Sequence, residues 1–256
     1  MSFQTYYLFQ LQVSYTVLLF IFFGTLSSYN FHWYLTPESI RPEERQLQPP
    51  ISKNIHLVLF TTGILGAAIC FILLRQHWLL IGISAALTFL YSAPKMDYPP
   101  FRSLKKFAIG KTIFLAFAWT HVTVLLPILV NASELTGEHL LFAINRFLII
   151  YAICILFDYR DRDEDRKAGI KSMITYFNEK GIDRLFWASI LLFTITIGLM
   201  RFFSFAEVVA LLLPAIILSF LYYPSKKDFS DYRYYFILDG LMMLSAPLAV
   251  LAKFAR

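Results

Sequence analysis

Eight apolar runs dominate the sequence: Tyr6–Ser28, Ile55–Leu74, Trp78–Ala93, Thr112–Val130, Leu140–Phe157, Leu185–Met200, Ala206–Leu221 and Tyr235–Ala252. A helix crossing the hydrocarbon core needs about 20 mostly apolar residues, and only a helix satisfies its own backbone polar groups there. The runs are too long for strands and lack period-two alternation, which argues against a β-barrel. The expected fold is therefore all-α: a polytopic transmembrane helical bundle of about eight spans. Composition agrees, since 58% of residues are hydrophobic and 16% charged, against about 25% charged in a soluble domain. So few charges cannot cover a soluble core. An ordinary soluble enzyme, a disordered chain and a disulfide scaffold are excluded. Cys70 and Cys154 both fall inside apolar runs and read as small buried hydrophobes.

The first run has no basic segment before it and no small-residue cleavage site after it, so it reads as a retained span. Orientation follows from Lys and Arg. The alternate connections beginning with the one after the first run hold 18 of them; the remaining connections and the C-terminus hold four, with Arg146 inside a run. The 18-residue set is expected on the cytoplasmic side. The net charge of +6 is then a topological signal, and nucleic-acid binding drops out. The connections on the other side are short, as in Arg75–His77, so chemistry is expected on the basic face.

The most informative stretch is Asp158-Tyr-Arg-Asp161-Arg-Asp-Glu-Asp165-Arg-Lys-Ala-Gly169. If the helix continues past Phe157, then Asp158, Asp161 and Asp165 share one face. Three carboxylates at a helix C-terminus repel one another and oppose the helix dipole. A hard divalent cation resolves this, and Mg²⁺ is commonly held by a few carboxylates plus substrate phosphates. Arg160, Arg162, Arg166 and Lys167 can offset the charge or reach diphosphate oxygens. Charge pattern alone equally allows a solvated loop with pairs such as Asp158–Arg162. The three-then-four spacing beside an intramembrane helix favours the metal site.

These residues resemble the second Asp-rich motif, DxxDxxxD with a following glycine, of the UbiA-type intramembrane prenyltransferases. Leu90-Tyr91-Ser-Ala-Pro-Lys95 also resembles that family's Tyr with a Lys four residues on. An internal echo, Leu221-Tyr222-Tyr-Pro-Ser-Lys226, suggests two pseudo-repeated halves, 1–131 and 132–256, in a single membrane domain. Aligned on the echo, Asp158 has its counterpart near Phe31. There the family's first motif, NDxxDxxxD, is matched by Asn30 and Glu38, while Phe31 and Tyr34 replace its first two Asp. His32 beside them reads as a structural hydrogen-bonder rather than a replacement ligand. Family members usually carry one more helix before the span that holds this motif, which here is the first run.

The resemblance implies Mg²⁺-dependent transfer of a prenyl group from a polyprenyl diphosphate to an aromatic or lipid-like acceptor. It would take place in the bilayer, with the Asp-rich loops facing the cytoplasm, in the inner membrane if the source is bacterial. The implied metal ligands are Asp158, Asp161, Asp165 and Glu38. The implied substrate contacts are Asn30, Tyr91, Lys95, Lys111, Arg162 and Tyr222. Lys95 and Asp239 are the catalytic candidates, Asp239 because an acid inside a span is a functional candidate by default. It can equally pair with Arg233 or a lysine. Arg146 is expected to snorkel or to pair with Glu134 or Glu138, and His121 to be a packed, hydrogen-bonded residue. The reduced first motif keeps a second reading open: a catalytically degenerate relative that binds a diphosphate, a lipid headgroup or a partner protein. A transporter ranks lower, because the charges gather at one face rather than the midplane.

Overall fold

The computed structural model describes residues 1–35, 53–92, 111–131, 134–167, 172–201 and 203–254. Among these residues the structure is helical, without strands. The helices are α1 (Ser2–Leu8), α2 (Tyr15–Leu35), α3 (Lys53–Leu73), α4 (Trp78–Ser92), α5 (Lys111–Thr120), α6 (Leu126–Asn131), α7 (Gly137–Lys167), α8 (Met173–Tyr176), α9 (Glu179–Leu199), α10 (Phe205–Ser225) and α11 (Asp239–Phe254). Two π-helical segments interrupt the α-helices, His121–Leu125 between α5 and α6 and Tyr232–Leu238 before α11. Six stretches are long and apolar enough to cross a membrane: Lys53–Leu73, Thr112–Asn131, Gly137–Asp163, Glu179–Leu199, Phe205–Ser225 and Tyr232–Leu251. The chain is an integral membrane protein.

The first apolar run is not one helix. α1 stops at Leu8, and Gln10 takes a left-handed φ of 52°. The amide of Leu11 bonds to the carbonyl of Tyr6 at 2.9 Å and that of Gln10 to Tyr7 at 3.3 Å. This is a Schellman stop, with glutamine at the position glycine usually takes. Ser14 then accepts a hydrogen bond from the amide of Val17, opening α2. The polar side chains Gln10, Gln12 and Ser14 occupy the break, so apolarity alone did not reveal it.

The chain forms two compact units, residues 14–106 and residues 1–13 with 107–256. In the smaller unit α2 packs against α3 and α4. The α2–α3 contact is close because Gly63 has no side chain. A Cβ there would lie 2.7 Å from the amide nitrogen of Ser27 and 2.8 Å from the carbonyl oxygen of Phe23. Small residues let membrane helices approach to backbone contact, where apolar burial gives little drive for association. The face of α3 bearing Val58, Leu65, Ile69 and Ile72 is exposed, as lipid contact requires.

In the larger unit α7 is central. Every residue from Ile149 to Leu156 is buried, and α5, α9 and α10 pack around the helix. A helix apolar on all sides can be covered only this way. The same helix runs on without a break to Lys167, carrying its acidic end out of the apolar core.

Candidate functional site

The continuation of α7 places Asp158, Asp161 and Asp165 at i, i+3 and i+7 on one helix, as the spacing predicts. Their environments differ. Asp158 is 5% exposed and accepts a hydrogen bond from Thr112 Oγ1, at the start of the neighbouring span. Asp165 is also buried. Asp161 is partly open and accepts from Arg160 Nε at 3.0 Å. Asp163 faces outward, 3.9 Å from Arg166. The Asp158–Arg162 pair of the solvated-loop reading does not form, because Arg162 turns the other way to Glu179.

Arg160 is held on several sides. Its Nη2 donates to Tyr235 Oη at 2.9 Å, and Asp231 lies 3.8 Å from Nη1. Its guanidinium carbon sits 5.4, 4.7 and 4.8 Å from the ring centres of Phe157, Tyr234 and Tyr235. The two tyrosines lie on the π-helical segment. That segment's extra residue per turn re-aims the side chains that follow it, and π-bulges often mark functional sites. Asp239 follows directly, as the first residue of α11. The alternative pairing of Asp239 with Arg233 is corrected: Arg233 binds Asp228, with Nη2 at 2.8 Å.

Beside this end, a second network joins three helices. Glu179 Oε1 binds Arg162, and its Oε2 lies 2.9 Å from Lys226 Nζ. Lys226 also reaches Asp183 Oδ1 at 2.9 Å, and the fully buried Tyr222 donates its hydroxyl to the same oxygen at 2.5 Å. Tyr159 donates to Glu179 and lies under the Lys226 ammonium, 4.7 Å from ring centre to Nζ. Burial by itself lowers the affinity of Lys226 for its proton. Asp183 and Glu179 outweigh that and hold the ammonium above the ordinary lysine range. Arg162 and Tyr222, both expected to contact substrate, are therefore brought into one network through acids that the sequence reading did not single out. Glu179 and Asp183 stand four residues apart in the first turns of α9, capped by Asn178, and that spacing beside an N-cap was the available signal.

In the smaller unit Asn30 is buried on α2. Its Nδ2 donates to the carbonyl of Leu26 at 2.7 Å, and its Oδ1 lies 2.9 Å from His56 Nδ1 on α3. Phe31, at a position where the resembling motif has Asp, stacks on Phe60 with ring centres 4.9 Å apart. Tyr34 is exposed. His32 lies on α2, Tyr91 in the last turn of α4 and Lys111 at the start of α5. Glu38, Lys95 and Gly169 lie outside the described residues. An apolar groove of about 310 Å³ in this unit is lined by Phe20, Ala67, Ala68, Phe71, Ile72 and Ala85.

The expectation that Arg146 snorkels or pairs with Glu134 or Glu138 is corrected: Arg146 is 2% exposed and bonded to Asn145 and Ser245. His121 is buried in the first π segment and stacks on Phe117. Cys70 and Cys154 are buried thiols.

Among the described residues no three His, Cys, Asp or Glu side chains gather closely enough to hold a metal ion. The helix explains this for α7. Seven residues separate Asp158 from Asp165, so they stand about 10 Å apart along the axis. Magnesium binds oxygen at about 2.1 Å, so one ion cannot span all three. The donor set nonetheless fits magnesium in kind: hard oxygens, of which one or two carboxylates can hold an ion completed by phosphate oxygens and water.

A family model described as the UbiA prenyltransferase family matches residues 49–238. That stretch contains the Asp158–Gly169 motif and begins beyond the Asn30–Glu38 segment. No curated protein and no solved structure matches the chain.

Proposed function

The chain belongs to the UbiA prenyltransferase family, and on that premise we propose that it transfers a prenyl group from a polyprenyl diphosphate to an aromatic or lipid-like acceptor, with Mg²⁺. The observation that carries this reading is the run of three carboxylates along the unbroken extension of α7. Asp158, Asp161 and Asp165 would hold the ion or ions. Bound Mg²⁺ supplies positive charge to the diphosphate oxygens as the allylic carbon–oxygen bond breaks.

The chain's own part is binding, charge and exclusion of water. In the reaction the bonding electron pair leaves with diphosphate, the allylic carbon bonds to the acceptor, and the acceptor loses a proton. Thr112 orients Asp158. Arg160 orients Asp161 and offsets its charge, so the acidic turn persists before substrate arrives. Lys95 and Lys111 belong to the basic connection proposed to meet the diphosphate. Asp239, deeper in its span, is the candidate to orient the acceptor or take its proton. Apolar walls keep water from the allylic cation. The 18-to-4 division of Lys and Arg supports a cytoplasmic position for this face. The test is Mg²⁺-dependent binding and turnover of geranylgeranyl diphosphate by the purified protein. Asp158→Asn and Asp161→Asn are each expected to cut both at least tenfold. Wild-type binding that ignores Mg²⁺, or variants that bind like wild type, overturn the assignment.

A second reading is supported by the Phe31–Phe60 stack and the Asn30–His56 bond, which stand at the positions aligned with the first Asp motif without its carboxylates. In that reading the protein binds a diphosphate or headgroup at one motif and does not turn it over. Turnover that appears only in the Phe31→Asp/Tyr34→Asp double variant would favour it.

A further inference from the structure

Deep in the larger unit lies a polar cluster that the proposed reaction does not use. Arg146 lies twelve residues before Asp158 on α7, about 18 Å away along the axis. Its Nε and Nη2 both donate to Asn145 Oδ1, at 3.1 and 2.6 Å, and its Nη1 donates to Ser245 Oγ on α11 at 3.2 Å. Asn145 is anchored in turn, its Nδ2 donating to the carbonyl of Phe193 and to Thr196 Oγ1 on α9. Ser245 donates to Gln4 Oε1 on α1 at 2.9 Å. Phe142 and Phe193 cover the guanidinium, with ring centres 5.2 and 5.5 Å from Cζ.

Every partner of this cation is neutral. Among the described residues no carboxylate reaches Arg146, and guanidinium does not lose its proton in proteins. A buried cation inside a membrane bundle is costly unless an opposite charge joins it, and the N-terminal ammonium of Met1 adds a second positive charge that acts on Arg146. Three of the five N–H groups of a guanidinium are used in the hydrogen bonds above, which leaves two donors. A second observation converges here. Gln4 is 1% exposed, and its amide Nε2 has no hydrogen-bond partner. The Gln4 amide and the Arg146 guanidinium flank one hydroxyl, that of Ser245. Unused donors on two helices are thus linked through one hydroxyl beside an uncompensated cation, and an acceptor of single negative charge between them would satisfy both.

We propose that Arg146, Gln4 and Ser245 form a buried binding site for a small monovalent anion, a halide or a carboxylate, separate from the acidic end of α7. Such an ion supplies the missing charge and ties α1 to α7 and α11. The site does not depend on the prenyltransferase reading.

The test is the thermal unfolding of the full chain in detergent at constant ionic strength, with sodium gluconate replaced stepwise by chloride or formate. Wild type is expected to gain a saturable rise of about 3–6 °C at tenfold excess over the dissociation constant. Formate acting at lower concentration than chloride identifies a carboxylate site, and the reverse a halide site. Arg146→Gln should abolish the rise. Because that variant can fail to fold, two others decide the matter. Gln4→Met should weaken the apparent affinity about fivefold, the loss of one hydrogen bond. Gln4→Glu builds in the missing charge, so it should melt in gluconate as wild type does in saturating anion and no longer respond. A rise that is equal in gluconate, or that persists unchanged in Gln4→Met and Gln4→Glu, overturns the proposal.

Discussion

Replacing Lys226 with methionine tests the network that ties α7, α9 and α10 together. Methionine keeps an apolar stem against Tyr159 and Tyr222 and removes only the ammonium. Glu179 and Asp183 then face each other, one turn apart on α9, without their shared cation. Breaking a fully buried ion pair by deleting one partner costs about 3–5 kcal/mol, and an exposed pair is worth about 0.2–1 kcal/mol. The Lys226 side chain is 12% exposed, Asp183 32% and Glu179 51%. The expected cost therefore falls between, at about 1–2 kcal/mol. For a chain of this size that lowers the melting temperature by about 2–8 °C, read in detergent at a fixed scan rate. The pH dependence gives a second readout. Lys226 is held above its ordinary value, so its contribution is fully present below the unfolded value of about 10.4 and is lost as pH rises through the higher folded value. The gap between wild type and Lys226→Met should stay constant through neutral pH and close only in strong alkali. A variant melting within 1 °C of wild type at low salt, or a gap that closes near pH 8, would refute the reasoning.

Three further outcomes follow from the geometry. Gly63→Ala should destabilise the smaller unit by about 1–3 kcal/mol, because its Cβ meets α2 backbone that cannot rotate away, whereas Gly82→Ala, with open space around it, should be neutral or stabilising in the same melts. In a double-mutant cycle, Thr112→Val and Asp158→Asn should couple by about 1–2 kcal/mol in stability, and additive effects would show that the hydroxyl does not hold the carboxylate. Gln10→Gly should raise stability by about 1 kcal/mol in thermal melts, because glycine adopts the left-handed φ of the α1 stop without strain.

The placement of the three carboxylates was legible in the sequence because it rests on local spacing. Asp158, Asp161 and Asp165 lie on one helix whatever surrounds them, provided the helix continues, and α7 does continue to Lys167. The fates of the interleaved cations were not legible. Arg160 turns to Asp161 and Tyr235, whereas Arg162 turns to Glu179. Those partners stand 75 and 17 residues away for Tyr235 and Glu179. Which of two arginines two positions apart meets which partner depends on the neighbouring helices.

Hydrophobic length by itself determined a membrane-spanning helical protein, because apolar segments of that size satisfy their backbone only as helices in lipid. Motif spacing placed three carboxylates on one helix face and carried the resemblance to the family that the match over residues 49–238 shows. Tertiary structure alone decided where the polar side chains inside the membrane find partners. It split the first apolar run at Gln10 and placed Gln4 against Ser245. It closed Arg146 between Phe142 and Phe193, where sequence reasoning expected an outer glutamate. The physical reason is the range of the interactions: helix formation is set within a few residues, but a buried charge is settled by whatever distant segments pack around it.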